Sequence, residues 1–165
     1  MVPLEVGAET FETLVSQQGE RLIKSLSAIF LDRELAADAA QEAFVQLYLH
    51  WDEVTGKGDP EPWLYKVAIN RGKDYRRGLA RAARLFQRLV DASGSEPSAE
   101  DCGMRTEFMS VLSGLPTRQR AAAALYYGAD FSVAEIAAVM GISEGSVSSH
   151  LHRARVALKQ ILESE

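Results

Sequence analysis

The sequence predicts an all-α protein made of two small helical domains joined by a flexible linker. Three observations carry that expectation. Apolar residues recur at steps of three and four along most of the 165 residues. No strand-period run and no internal repeat interrupts them. A small, polar, acidic stretch, DASGSEPSAEDCG (91–103), divides the helical text in two and reads as a linker. The expected division is therefore a first domain over 8–90, a linker over 91–104 and a second domain over 105–165. With 47% hydrophobic residues, a chain of this size buries one moderate core or two small ones, and not a large enzyme fold.

Taken in order, the first run from Phe11 places Leu14, Leu22, Leu26 and Ile29 on one face. Asp32 interrupts the apolar pattern and is placed to cap a second helix, whose apolar positions are Leu35, Ala39, Phe44, Leu47 and Trp51. DEVTGKGDPEP (52–62) holds two glycines and two prolines and reads as a loop. Helix resumes at WLYKVAINRGKDYRRGLARAARLFQRLV, with Gly78 a candidate kink. Beyond the linker, Pro116, Gly128 and Gly141 punctuate about four further helices.

The net charge of -5 conceals a strong segregation. Residues 1–60 carry 4 basic and 11 acidic groups, 61–90 carry 8 and 2, 91–115 carry 1 and 5, and 116–165 carry 5 and 5. One segment is built for phosphate and the acidic one for a protein surface. Cys102 is the only cysteine, which excludes an internal disulfide or a multi-thiolate metal site and suits a reducing compartment. Neither a signal peptide nor a spanning apolar run is evident, so a cytoplasmic protein without membrane insertion is expected. His150 and His152 are two apart and diverge on a helix, and His50 lies in the other domain, so no metal site is expected. No nucleophile or paired-carboxylate constellation points to an enzyme, and no cofactor is implied.

Lys66, Asn70, Lys73, Arg77, Arg81, Arg84 and Arg88 share one helical face, while Leu64, Ala68, Tyr75, Leu79, Ala82, Phe86 and Leu89 form another, expected to pack. The basic ridge can neutralise phosphates. Trp63 and Tyr65 stand at its start beside the glycine-rich loop, where rings can stack on unpaired bases.

The segment SVAEIAAVMGISEGSVSSHLHRARVALKQIL carries a second signal. Ser132 with Glu135 forms a capping-box pattern. Ala137, Gly141 and Val147 then fit a helix-turn-helix: a small residue at the crossing, a glycine in the turn, a β-branched anchor in the second helix. Ser143 is placed to cap that second helix, whose first turn would enter a DNA major groove. Val147, Leu151, Ala154, Leu158, Ile161 and Leu162 form its apolar stripe. Ser149, His152 and Arg153 lie opposite, Ser146 and Ser148 on the shoulders, and His150 nearer the apolar edge.

LSGLPTRQRAAAALYYGADFSVAEIAAVMGISEGSVSSHLHRARVALKQIL resembles region 4 of bacterial sigma factors. DRELAADAAQEAFVQLYLHW followed by PWLYKVAINRGKDYRR resembles region 2 of the same family. The two in this order, with no region 3 between, resemble the extracytoplasmic-function (ECF) group. The resemblance implies docking of Asp38, Gln41, Glu42 and Phe44 on the β′ clamp helices of core RNA polymerase, and a contact of region 4 with the β flap. It implies minus-ten recognition and base capture by Trp63, Tyr65, Lys66, Asn70, Arg71, Lys73 and Arg77, with the 52–62 loop as specificity element. It implies minus-thirty-five reading by Ser146, Ser148, Ser149, His150, His152 and Arg153, and an anti-sigma factor as regulatory partner. Family members often carry Lys or Arg where Ser148 and His150 stand, so minus-thirty-five recognition is expected to be weaker per helix here and to lean on core polymerase and region 2, with Arg153 as its main charged base or phosphate contact. The EIA…GIS…V…H pattern also resembles LuxR-type helix-turn-helix regulators, the alternative reading.

Overall fold

A computed structural model describes residues 10–93 and 107–164. Among these the chain is entirely helical. Helix α1 (Phe11–Phe30) begins on Thr10, whose hydroxyl accepts the Thr13 amide at 3.2 Å. It ends at Leu31, held in the left-handed conformation (φ 57) by its N–H to the Ser27 carbonyl. Asp32 then caps α2 (Arg33–Leu49), accepting the Leu35 amide at 3.0 Å, as its position in the sequence predicts. A short α3 (Trp51–Thr55) leads through a turn at Gly58 (φ 136) into α4 (Pro60–Ser93). Pro60 occupies the first turn of α4, where a missing N–H costs nothing. At 34 residues α4 is about 51 Å long. It continues unbroken through Gly78 as one helix, and it extends three residues into the stretch read as linker.

The second half comprises α5 (Glu107–Ser113), α6 (Thr117–Ala123), α7 (Val133–Met140) and α8 (Glu144–Glu163). A π-helical turn, Ala124–Gly128, prolongs α6. The rest of the expected linker, residues 94–104 with Cys102, lies outside the described residues. No described helix is long and apolar enough to cross a membrane.

Three alanines and a leucine explain how α2 fits. Ala36, Ala39, Ala43 and Leu47 are all fully buried, so α2 lies close against α1 and α4. At Gly72 of α4 the approach is closer still: a Cβ there would sit 2.3 Å from Phe30 Cε2, so only glycine lets that ring settle. Arg76 covers the same ring from 5.0 Å and donates to the Phe30 carbonyl.

The two halves do not keep separate cores. Leu22, Leu26, Leu64 and Tyr65 belong to one continuous cluster with Leu125, Phe131, Ile136, Val147 and Leu151 of the second half. Tyr65 meets Phe131 edge to face at 4.8 Å. Arg120, 5% exposed, donates to the Ile29 carbonyl at 2.9 Å and the Leu115 carbonyl at 2.8 Å. Its charge therefore sits at the C-terminal end of α1, where carbonyls offer partial negative charge, while burial holds its pKa below the usual guanidinium range. Arg21 pairs with Asp130 at 2.5 Å across the same boundary. A smaller cluster around Leu112, Leu115, Ala123 and Ala154 packs against Ala28 and Leu31.

The face of α4 expected to pack does so only at its start. Leu64 and Ala68 are buried, whereas Tyr75, Leu79, Phe86 and Leu89 are exposed. Past Gly72, α4 outruns the helices α1, α2, α3 and α7 that pack against it, so the predicted face continues into solvent.

Candidate nucleic-acid interface

Lys66, Asn70, Lys73 and Arg77 fall on one exposed line of α4. Arg71 lies beside that line and forms an ion pair with Glu42 of α2 at 3.2 Å. Trp63 stands half-buried at the start of the line, its ring 6.2 Å from that of His50. Together with Val54, Lys57 and Asp59 these two rings enclose a cavity of about 370 Å³, open beside the loop that the sequence marks as glycine-rich. The loop is pinned on both sides: Asp59 accepts the Glu61 amide at 2.9 Å, and Lys57 pairs with Glu53 at 2.8 Å. That ion pair and hydrogen bond hold the Glu53 carboxyl below its usual pKa. The cavity thus offers an aromatic wall, a polar rim and a preformed shape, the features that a flipped base requires.

Tyr65 stands apart from this group. It is fully buried against Phe131, and burial pushes its hydroxyl pKa up to about 12, with Ser25 offsetting part of the rise. In this structure it presents no surface to a base and acts as core. The WLY run places consecutive side chains about 100° apart, so Trp63 and Tyr65 were never able to share a face.

On α2, Asp38 and Gln41 are exposed, and Phe44 is half-buried against the core. Glu42 is half-buried and engaged twice, by Arg71 and by the Tyr75 hydroxyl, which raises the tyrosine's pKa. It ties α2 to α4 and leaves Asp38 and Gln41 as the free polar groups of the four expected docking residues. Sequence reasoning missed their neighbours Val45, Tyr48 and Leu49, which are 51%, 65% and 65% exposed. Asp38, Gln41, Val45 and Tyr48 follow steps of three and four and form one line opposite the alanine stripe. The signal was present in that stripe: once small residues occupy the core side, the larger apolar residues must face out. Between α2 and α4 a groove of about 640 Å³ has Leu35, Tyr75 and Leu79 on its floor and Asp38 and Asp74 on its rim.

The helix-turn-helix is formed by α7, Gly141 and α8. Ser132 and Glu135 make both bonds of the capping box at 3.1 Å. Gly141 takes the left-handed conformation (φ 66) that the turn requires. Ser143 caps α8 by accepting the Ser146 amide at 3.1 Å. Val147, Leu151 and Ala154 are buried. Ser148, Ser149, His152 and Arg153 are exposed together on the outer face of α8. Ser146 is half-buried with its hydroxyl 2.9 Å from that of Ser143, so it serves the cap. His150 is half-buried, and its Nδ1 is buried with no hydrogen-bond partner among the described residues. Beside this face Arg155 donates to the Tyr127 hydroxyl at 2.7 Å and lies 5.8 Å from the Tyr126 ring, contacts that raise its pKa. The π-helical turn presents the two consecutive tyrosines to that guanidinium.

Comparison with known proteins agrees with this geometry. Residues 14–82 match sigma-70 region 2, and residues 105–158 match sigma-70, region 4. The RNA polymerase sigma-E factor of Streptomyces avermitilis is 32% identical over 154 residues, which cover 93% of this chain and 86% of that protein. The ECF RNA polymerase sigma factor SigM of Bacillus subtilis is 29% identical over 156 residues, covering 92% and 94% respectively. Among solved structures, CnrH in complex with the cytosolic domain of CnrY superposes with a TM-score of 0.68 at 26% identity, covering 94% of this chain and 88% of CnrH. A region 2 carrying a basic ridge, followed by a region 4 carrying a capped helix-turn-helix, identifies a non-enzymatic subunit that directs RNA polymerase to promoters: the chain belongs to the ECF group of the sigma-70 family.

Proposed function

We propose that the three exposed surfaces divide the work of initiation. The line Asp38–Gln41–Val45–Tyr48 on α2 docks on the β′ clamp helices of core polymerase, an acidic rim meeting a basic partner and the apolar residues supplying buried area. The cavity between Trp63 and His50 receives one flipped base of the minus-ten non-template strand, and Lys66, Asn70, Lys73 and Arg77 hold its backbone. The exposed face Ser148–Ser149–His152–Arg153 enters the major groove at minus-thirty-five while region 4 contacts the β flap. The observation that carries this reading is the preformed cavity at the head of the basic line, since capture and backbone grip then lie on one helix. Tyr65 is left out of the minus-ten set because of its burial.

Such a role places the protein in the cytoplasm with the polymerase. An anti-sigma factor covering these surfaces is the proposed regulator, and the CnrH structure, itself a complex with a cytosolic domain, supports a partner of that kind.

Run-off transcription with reconstituted core polymerase tests the assignment. Wild-type protein should yield transcripts with defined starts from genomic fragments. Val45→Asp with Tyr48→Asp, both exposed, should lower core affinity at least tenfold, with a loss of stability no larger than the edge contact of Tyr48 with Phe11, about 0.5–1.5 kcal/mol. Full transcription by the double variant would contradict the docking line. Tight binding of a palindrome by the free protein as a dimer would favour the LuxR-type reading instead.

A further inference from the structure

A cavity of about 420 Å³ lies on the seam between the two halves and belongs to none of the surfaces assigned above. One wall is a single face of α1, where Arg21, Lys24, Ser25 and Ala28 follow helical spacing. The facing wall comes from the second half: Leu112 of α5, Ala123 of α6, Ala124 of the π-helical turn and Leu158 of α8. Small side chains on both walls keep the space open. The cavity is also graded along α1. Around Ala28 it is apolar and continuous with the cluster of Leu112, Ala123 and Ala154. Two turns earlier sit the cations. Arg21 is already neutralised there, paired with Asp130 at 2.5 Å and donating to the Gly128 carbonyl at 3.2 Å. Lys24 is exposed at the rim and has no partner among the described residues.

We infer that this seam binds a small amphiphile with one negative charge, an acyl carboxylate whose head meets the Lys24 ammonium and whose tail lies between Ala28, Ala124 and Leu158. The volume falls in the range of small-molecule sites, about 300–1,000 Å³. It does not suit a partner helix, since one helical turn, about 10 Å across and 5.4 Å long, would by itself fill roughly as much space. From Arg21 to Ala28 the wall of α1 runs about 10 Å, room for a medium-length acyl chain. The tail gains by leaving water, and an apolar cavity of this kind favours an apolar guest. Charge decides the head. One free ammonium balances one carboxylate, whereas a phosphate monoester brings about two charges to a chain of net charge -5. Because the walls come from regions 2 and 4, only their packed arrangement forms the site, and by linkage the ligand stabilises that arrangement.

Isothermal titration calorimetry of the full chain with octanoate and with 1-octanol, both below their aggregation limits, tests the site. Wild-type protein should bind one molecule of octanoate, and octanol should compete for the same place. Lys24→Gln should weaken octanoate about threefold to fivefold, the reach of one exposed ion pair, and leave octanol unchanged. Ala28→Leu and Ala124→Met fill the cavity from opposite walls. Each should cut the binding of both probes at least tenfold, with a thermal transition near the wild-type midpoint showing that the fold is intact. Where one wall does not tolerate the larger residue, the other wall and Lys24→Gln still decide. Octanoate should also raise the thermal midpoint of the wild-type chain and not that of the filled variants. A wild-type chain that binds neither probe would overturn the inference. So would filled variants that bind octanoate as tightly as wild type, or a Lys24→Gln variant whose preference for octanoate over octanol is unchanged.

Discussion

Tyr65 shows what a single residue adds to the reading of the sequence. Its place in the WLY run allies it with Trp63, yet its ring lies in the core against Phe131. The caps were legible because a cap is local: Asp32, Ser132 and Ser143 each bond to an amide three residues on. The partner of Tyr65 comes from the other half of the chain, where no short-range pattern can announce it. Burial raises the folded-state pKa of this hydroxyl from 10.0 to about 12, so between these values the unfolded chain releases its proton first. Stability contributed by the neutral phenol is therefore complete below pH 10 and is lost as pH rises toward 12. Tyr65→Phe should change stability by less than about 1 kcal/mol at pH 7. It should flatten the alkaline decline in a denaturant series taken from pH 8 to 11.5. A decline of unchanged steepness would show that the hydroxyl ionises outside the core.

At the scale of elements, α8 and α2 were legible to different degrees. The turn and caps of the helix-turn-helix follow from residue types with fixed backbone roles, Gly141 above all. The outer line of α2 was half legible, because Ala36, Ala39 and Ala43 occupy the core side that larger residues usually fill. For α8 the exposed reading face holds one firm cation, Arg153, among serines and His152. Arg155 is held by Tyr127 and Tyr126 to one side. Arg153→Ala should therefore abolish the preference of the holoenzyme for promoters with an intact minus-thirty-five element, a loss of about 1–3 kcal/mol for a well-made guanine contact. Footprinting or competitive transcription with and without that element reads the effect directly. An undiminished preference would move recognition to Ser148, Ser149 and His152.

The whole molecule differs from a pair of independent domains in one respect: the core is shared. Two helical halves were legible from periodicity, and their order from the two motifs. Their packing was not, because an apolar face specifies that something covers it and not what does. Arg120 is the clearest instance, a buried cation whose acceptors are the carbonyls of Ile29 and Leu115. Against a net charge of -5, α4 gathers the cations on a face that packing leaves open, and the cavity by Trp63 opens at the head of that face. The central claim is that this one helix both grips the strand and captures a base. 2-Aminopurine placed in turn at each minus-ten position of the non-template strand measures the capture. With wild-type holoenzyme, one position should brighten sharply as its base leaves the stack. With Trp63→Ala that signal should disappear, while Trp63→Phe retains part of it and duplex binding persists in both. An identical signal from the alanine variant would contradict the claim.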